Sequence, residues 1–419
     1  MPHDAESEWH RRTPPTPRRT GRRGAGTSTL LLFVALGAVV AALLVVTTAV
    51  RGDRSADTAA RGSTSTTAPP TSTSAPSSPS SSAPRPAPVV DACAEKVAAL
   101  PLRARLAQLL VVGVDPRGPA DALAAVRDQQ VGGIFIGGDD VGLLSAGALA
   151  PVHAAASLPL TVAVDDEGGR VQRLDVLDGP LPSAREMAAE LTPDQVRALA
   201  VKRGQALRAR SVTTDLAPVL DTSGQPDRTV IGDRSFSANP DVALGYALAF
   251  AEGLHQAGVT PVVKHFPGHG NTSGDSHLGA VTSPPLDALL GADLLPYREL
   301  PRFGDVVVMV GHIDVPGLTN GVPATLSPQA YALLRGEFGF SGPAMTDDLG
   351  AMRAVTDRVG LPDAVTQALA AGADIALWSS GGRVAEVLDH LEGAVASGAL
   401  PAPRVAEAAK RVLTAKHAC

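Results

Sequence analysis

Eight short apolar runs, most of them followed by a helical stretch, constrain this chain more than any other feature. They are Leu109–Val114, Val131–Ile136, Leu160–Val164, Thr214–Pro218, Val262–Val263, Val306–Val310, Ala344–Thr346 and Ile375–Trp378. The runs are continuous rather than alternating, which means burial on both faces, as in a parallel sheet covered by helices. Ala120–Gln130 reads as one of those helices. Thr192-Pro193-Asp194-Gln195 opens another, with an N-cap, a proline in the first turn and a capping box. Ser327-Pro328 repeats the device before Tyr331–Leu334. Eight strands alternating with helices predict an α/β fold of the (β/α)8 barrel type over residues 91–419. A doubly wound open sheet is the alternative, although it does not need eight strands. Aromatics are only 3% of the chain while Ala and Gly are plentiful, which suits tight packing of helix on strand.

Polar residues gather where the runs end. Asp165 and Asp166 follow the third run, and Lys264 and His265 sit where the fifth gives way to a loop. His312 and Asp314 follow the sixth, Asp347 and Asp348 the seventh, and Trp378 and Ser379 end the eighth. In a barrel all these tips meet at one face, where active sites are built.

The densest of these segments is Lys264-His265-Phe266-Pro267-Gly268-His269-Gly270, closely followed by Asp275-Ser276-His277. Proline and glycines exclude a helix there. A metal site from His265, His269 and His277 loses its spacing argument, because Pro267-Gly268 prevents a shared helix face. A phosphate cradle would want glycines opening a helix. A plain solvated loop is the remaining bland reading. The functional one is a pocket that hydrogen-bonds a polyhydroxylated ligand, with a carboxylate orienting a histidine.

These residues together resemble the signature of glycoside hydrolase family 3, in its single-domain β-N-acetylglucosaminidase branch. Other segments extend the resemblance over nearly all of residues 93–419. It implies a retaining β-N-acetylhexosaminidase that needs no metal or other cofactor. Such an enzyme releases terminal N-acetylglucosamine from peptidoglycan fragments or related glycans through a covalent glycosyl-enzyme intermediate. On the match, Met345–Met352 is the nucleophile strand, with Asp347 attacking the anomeric carbon and Asp348 supporting it. His277, paired to Asp275, is the acid/base. A histidine titrates near neutrality, and an Asp on its other nitrogen fixes the tautomer. Val164–Arg173 nominates Asp165 and Arg173 for the sugar, Val230–Phe236 nominates Arg234, and Lys264 and His265 complete the shell. Glu167 and Arg170 read rather as a structural ion pair. Asp221 and His312 stand between structure and pocket, and Trp378 between stacking on a sugar and core packing. Asp347 also reads as a helix N-cap, and Asp275–His277 as a simple turn. Many larger relatives take the acid/base from a second α/β domain, for which too few residues follow Asp347, so His277 becomes the more necessary. The rivals are an N-acetylglucosaminide phosphorylase, since a neutral histidine admits phosphate more readily than a carboxylate would, and a non-catalytic wall-glycan-binding barrel.

Upstream, residues 1–28 are basic and read as a cytoplasmic tail. Residues 29–51 carry the charge-free run Leu30–Val50, long enough at about 1.5 Å per residue to cross a bilayer as a signal anchor. Residues 52–90 are a Ser/Thr/Pro-rich linker that cannot bury a core. The expectation is a single-pass membrane protein with its barrel outside the cytoplasm, or a secreted one if the segment is cleaved. The partners are an N-acetylglucosamine-containing glycan or muropeptide, and the membrane through that helix. A formal net charge of −6 with no basic patch argues against nucleic acid, and a monomer is expected. The two cysteines, Cys93 and Cys419, bracket the barrel. First and last units of a barrel are neighbours, so a disulfide can form in an oxidising compartment; two unpaired thiols are the alternative.

Overall fold

The computed structural model describes residues 91–419. The expected tail, signal anchor and linker (1–28, 29–51 and 52–90) lie outside the described residues. Among the described residues no helix is long and apolar enough to cross a membrane.

Ten strands form. They are β1 (Leu110–Gly113), β2 (Gly133–Ile136), β3 (Thr161–Val164), β4 (Thr214–Asp215), β5 (Thr260–Phe266), β6 (Val281–Thr282), β7 (Val307–Val310), β8 (Ile313–Asp314), β9 (Ala344–Thr346) and β10 (Ala376–Trp378). Eight of them make one sheet in the order β10-β1-β2-β3-β4-β5-β7-β9, every pairing parallel. A parallel bridge from Met345 to Ile375 joins the two ends, and Thr346 N–H donates to the Ile375 carbonyl at 2.9 Å. The sheet is thus a closed barrel, and its strands are buried almost throughout because helices cover them outside and side chains fill them inside.

Two strand boundaries differ from expectation for a physical reason. β5 does not end before Lys264 but runs through Phe266. Lys264 and His265 are only 2% and 5% exposed; both are paired inside, so their polarity does not break the strand. The ladder with β7 does slip between Val263 and Phe266, where they fall. β4 stops at Asp215, short of Pro218, which has no N–H to extend a ladder.

Thr192 caps the helix Pro193–Ala209 with the full capping box to Gln195. Ser327 precedes the helix Pro328–Gly336 but makes no side-chain cap; its hydroxyl goes to the Gln329 side chain at 2.9 Å.

β6 and β8 form a separate parallel pair. They lie in the connections after β5 and β7, so they stitch together two loops on the face where those strands end. At the other face, the helix Ala92–Ala99 meets the C-terminal helix Ala402–Ala415. Cys93 and Cys419 are joined by a disulfide. Asp91 pairs with Lys410, and Lys96 Nζ donates to the Ala418 carbonyl. A cavity of about 1190 Å3 also opens at this face, among Thr161, Thr214, Thr260, Val307, Lys410 and Arg411. It lies across the barrel from the polar strand tips.

Candidate active site

The strand C-termini bring the nominated residues together. Asp165, just beyond β3, accepts a hydrogen bond from Lys264 Nζ on β5 at 2.7 Å, and Arg173 NH2 stands 4.0 Å from its other oxygen. Lys264 Nζ also lies 2.6 Å from Glu167 Oε1. Arg234 grips the same Glu167 with two bonds, Nε to Oε2 at 2.8 Å and NH2 to Oε1 at 2.7 Å. Burial alone would raise the Glu167 carboxyl, but the Arg234 and Lys264 charges outweigh it and hold it well below the usual range. Burial likewise disfavours the Lys264 cation, and Asp165 and Glu167 more than restore it. Glu167 therefore fixes two cations with a rigid bidentate clamp.

The expected Glu167–Arg170 pair does not form. Arg170 turns to Asp233 at 2.8 Å and to the carbonyls of Thr229, Val230 and Ile231. It fastens the segment carrying Arg234 from outside while Glu167 holds it from inside. Asp166 is fully buried below Asp165 and accepts the backbone N–H groups of Arg173 and Leu174 at 3.1 and 3.0 Å. It shapes the loop that presents Arg173.

Asp221 proves to be a positioning group. Its carboxylate meets His265 Nδ1 at 2.6 Å and accepts the backbone N–H of His269 at 2.7 Å. Burial raises this carboxyl, and His265 and His269 outweigh the effect, so it stays ionised. With Nδ1 so engaged, the other ring nitrogen of His265 is the one left for a ligand. Two glycines allow this crowding. A Cβ on Gly270 would stand 1.9 Å from the Thr222 carbonyl oxygen, and Gly268, at φ +127°, would meet Asp293 Cβ at 2.6 Å.

Asp347 follows β9, and its backbone N–H donates to the Val310 carbonyl at 3.0 Å. Oδ1 accepts the Asp348 N–H at 2.9 Å; Oδ2 is buried with no hydrogen-bond partner among the described residues. Burial pushes this carboxyl up, but the fields of His312, His265 and His277 bring it down to about 2. An ionised carboxylate with one bare oxygen is suited to attack a carbon centre. Asp348 is a clasp: it accepts the N–H groups of Gly350 and Ser379 at 2.8 and 3.0 Å, tying the β9 loop to the end of β10. His312 is buried beside them, with Nε2 on the Asp348 carbonyl and Nδ1 on Thr325 Oγ1, both at 2.8 Å. The carbonyl can only accept, so Nε2 carries the proton. Asp314 takes no part; it accepts from Thr319 and Gly321 in its own turn. Trp378 is fully buried, which decides for core packing over sugar stacking.

The loop after β5 carries the dyad. His277 Nδ1 lies 2.6 Å from Asp275 Oδ1, and the same oxygen accepts the His277 backbone N–H at 2.9 Å. Burial disfavours the imidazolium, but the Asp275 hydrogen bond and charge, joined by the Asp347 charge, raise its pKa above the ordinary value. Asp275 correspondingly sits at about 2: burial opposes this, and its bonds to His277 prevail. The His277 ring keeps 56% exposure, open to a ligand. Among the described residues no three His, Cys, Asp or Glu side chains group as metal ligands.

The family model described as the glycosyl hydrolase family 3 N terminal domain matches residues 101–415. The chain belongs to glycoside hydrolase family 3. It is 52% identical over 339 residues to the beta-hexosaminidase LpqI of Mycobacterium tuberculosis, covering 78% of this chain and 87% of that protein. A crystal structure of a family 3 member from Mycobacterium smegmatis superimposes with a TM-score of 0.74 at 52% identity, covering 76% of this chain and 98% of that one. A family 3 beta-N-acetylglucosaminidase from a Paenibacillus matches at 32% identity and a TM-score of 0.71, over 76% of this chain and 62% of that one. Several supports of this family 3 site are not evident from motif position. Glu167, His269 and Ser276 matter through partners distant in sequence or through burial; the nearest signal was their place inside the matched segments.

Proposed function

We propose that this protein is a retaining β-N-acetylhexosaminidase that removes terminal N-acetylglucosamine from peptidoglycan fragments or related glycans. The observation that carries the reading is the Asp275–His277 pair, its histidine side chain 56% exposed, with the field of the Asp347 carboxylate reaching it. Asp347 Oδ2 attacks the anomeric carbon while His277, as imidazolium, gives its Nε2 proton to the departing glycosidic oxygen. The ring is left neutral with Nδ1–H on Asp275. In the second step neutral Nε2 takes a proton from water, whose oxygen displaces Asp347, and the β configuration is retained. Arg173, Arg234, Lys264 and His265 supply donors, and Asp165 an acceptor, suited to vicinal hydroxyls and an acetamido group.

The basic, apolar and Ser/Thr/Pro-rich segments before Asp91 support placing the enzyme at the cell membrane with the barrel outside. The deciding assay compares p-nitrophenyl N-acetyl-β-glucosaminide with the β-glucoside, with and without phosphate. Preference for the acetamido sugar and release of free N-acetylglucosamine are expected. Sugar 1-phosphate as the product would replace this reading with a phosphorylase.

A further inference from the structure

A second histidine beside the site takes no part in the two steps above. His269 is 2% exposed, and both its ring nitrogens are engaged. Nδ1 lies 2.8 Å from Thr272 Oγ1, and Nε2 lies 3.0 Å from Ser276 Oγ. Thr272 Oγ1 is also 3.0 Å from the His269 carbonyl and 3.2 Å from that of Gly274. Carbonyls only accept, so with the single hydroxyl proton of Thr272 on one of them, its oxygen accepts from Nδ1–H. Nε2 is then a bare acceptor, and Ser276 Oγ–H donates to it. Burial, with His265 nearby, holds the His269 pKa down to about 4, so the ring is neutral near pH 7 and keeps that acceptor.

Ser276 is fully buried and is held from two sides. Its side chain reaches His269, whose backbone is fixed by Asp221 at 2.7 Å. Its carbonyl accepts the Ala354 N–H at 3.1 Å, in the helix Arg353–Thr356 that follows Asp347. By contrast, Asp275 and His277 are two residues apart in one loop, so their bond travels with the loop and cannot set its place over Asp347. Pairing of Ser273 with Thr282 closes the loop's base, and the Arg353 N–H reaches the His277 carbonyl at a long 3.4 Å.

We propose that His269, acting through Ser276, is a positioning residue that fixes the loop so that His277 faces the glycosidic oxygen above Asp347. This rests on His277 being the acid/base. A displacement of about 1 Å at a reacting group costs on the order of 100-fold in rate, and the loss should fall where proton transfer matters.

The test compares Ser276→Ala, Thr272→Val and His277→Ala with the wild-type protein, on an alkyl and a 2,4-dinitrophenyl N-acetyl-β-glucosaminide, with thermal melting in parallel. Ser276→Ala should lower kcat on the alkyl substrate by about 10–100-fold with KM within about twofold. The loss on the activated substrate should be smaller, and added azide should recover part of it as the β-glycosyl azide, bypassing the missing base. Thr272→Val should show the same pattern more weakly. Wild-type kcat in Ser276→Ala on both substrates, while His277→Ala still discriminates between them, overturns the positioning role alone. Equal losses in His277→Ala on both substrates overturn the acid/base reading beneath it. A fall in melting temperature with parallel loss on both substrates and no azide recovery makes Ser276 merely structural, which also overturns the proposal.

Discussion

Replacing His277 by alanine removes the group proposed to trade protons with the glycosidic oxygen. A positioned acid/base contributes about 10²–10⁴ in rate, or about 3–5 kcal/mol of barrier. The substitution empties an exposed position, so the fold should be spared. The sign of the pH effect follows from two carriers. Asp347 must be ionised, and with a pKa of about 2 it is so above that pH. His277 must be protonated for the first step, and its pKa is raised above the ordinary 6.5. Wild-type kcat/KM should therefore be level through mildly acidic pH and fall as pH rises through the raised His277 pKa. When the second step limits, kcat should instead rise with pH, and at lower pH than the first limb falls, because water needs the neutral ring and the esterified Asp347 no longer raises its pKa. In His277→Ala, kcat/KM for an alkyl glycoside should drop by the full factor and that for a dinitrophenyl glycoside far less, and the alkaline limb should vanish. Initial-rate profiles from pH 4 to 9 on both substrates measure this. Persistence of the same alkaline limb in the variant would refute the assignment, because another group would then carry the proton.

Asp347→Asn preserves volume and the acceptor for the Asp348 N–H, so turnover should fall to the background rate while the melting temperature stays within about 4 °C; wild-type activity on an aryl glycoside would show the nucleophile to be misassigned. Reducing the Cys93–Cys419 bridge, or replacing both residues by serine, opens a loop spanning a sequence separation of 326. The chain-entropy relation then gives a destabilisation of about 6 kcal/mol as an upper figure. The urea midpoint should fall while kcat/KM under native conditions holds, because the bridge lies across the barrel from Asp347; an unchanged midpoint would contradict it.

Much of the barrel is readable as eight buried runs because parallel strands covered on both faces leave an unbroken apolar trace. That trace fails where polar side chains are paired inside the sheet. Lys264 and His265 look like the end of β5 but belong to it, since Asp165, Glu167 and Asp221 neutralise them. β6 and β8, two residues each, are too short for any periodicity. At the site, motif position nominates Asp165, Arg173, Arg234, Lys264 and His265, and the fold draws them together. It does not say which carboxylate binds which cation. Glu167 and Arg170 are three apart and look like mutual partners, yet each is claimed by a residue more than sixty positions away. Long-range pairing of this kind depends on the barrel's closure, and local sequence carries no mark of it.

The joined ends of the domain have a geometric consequence. Asp91, where the described chain begins, is paired to Lys410 beside the cavity at the strands' N-terminal mouth, while the dyad and Asp347 stand at the other. Under the proposed attachment through the N-terminus, the pull falls on the pole away from the proposed sugar site. A long glycan can offer its end to the opposite pole without threading past the attachment. A cut upstream of Cys93 would leave the barrel whole with its ring still closed, so under the proposed attachment, release and loss of activity are separable events.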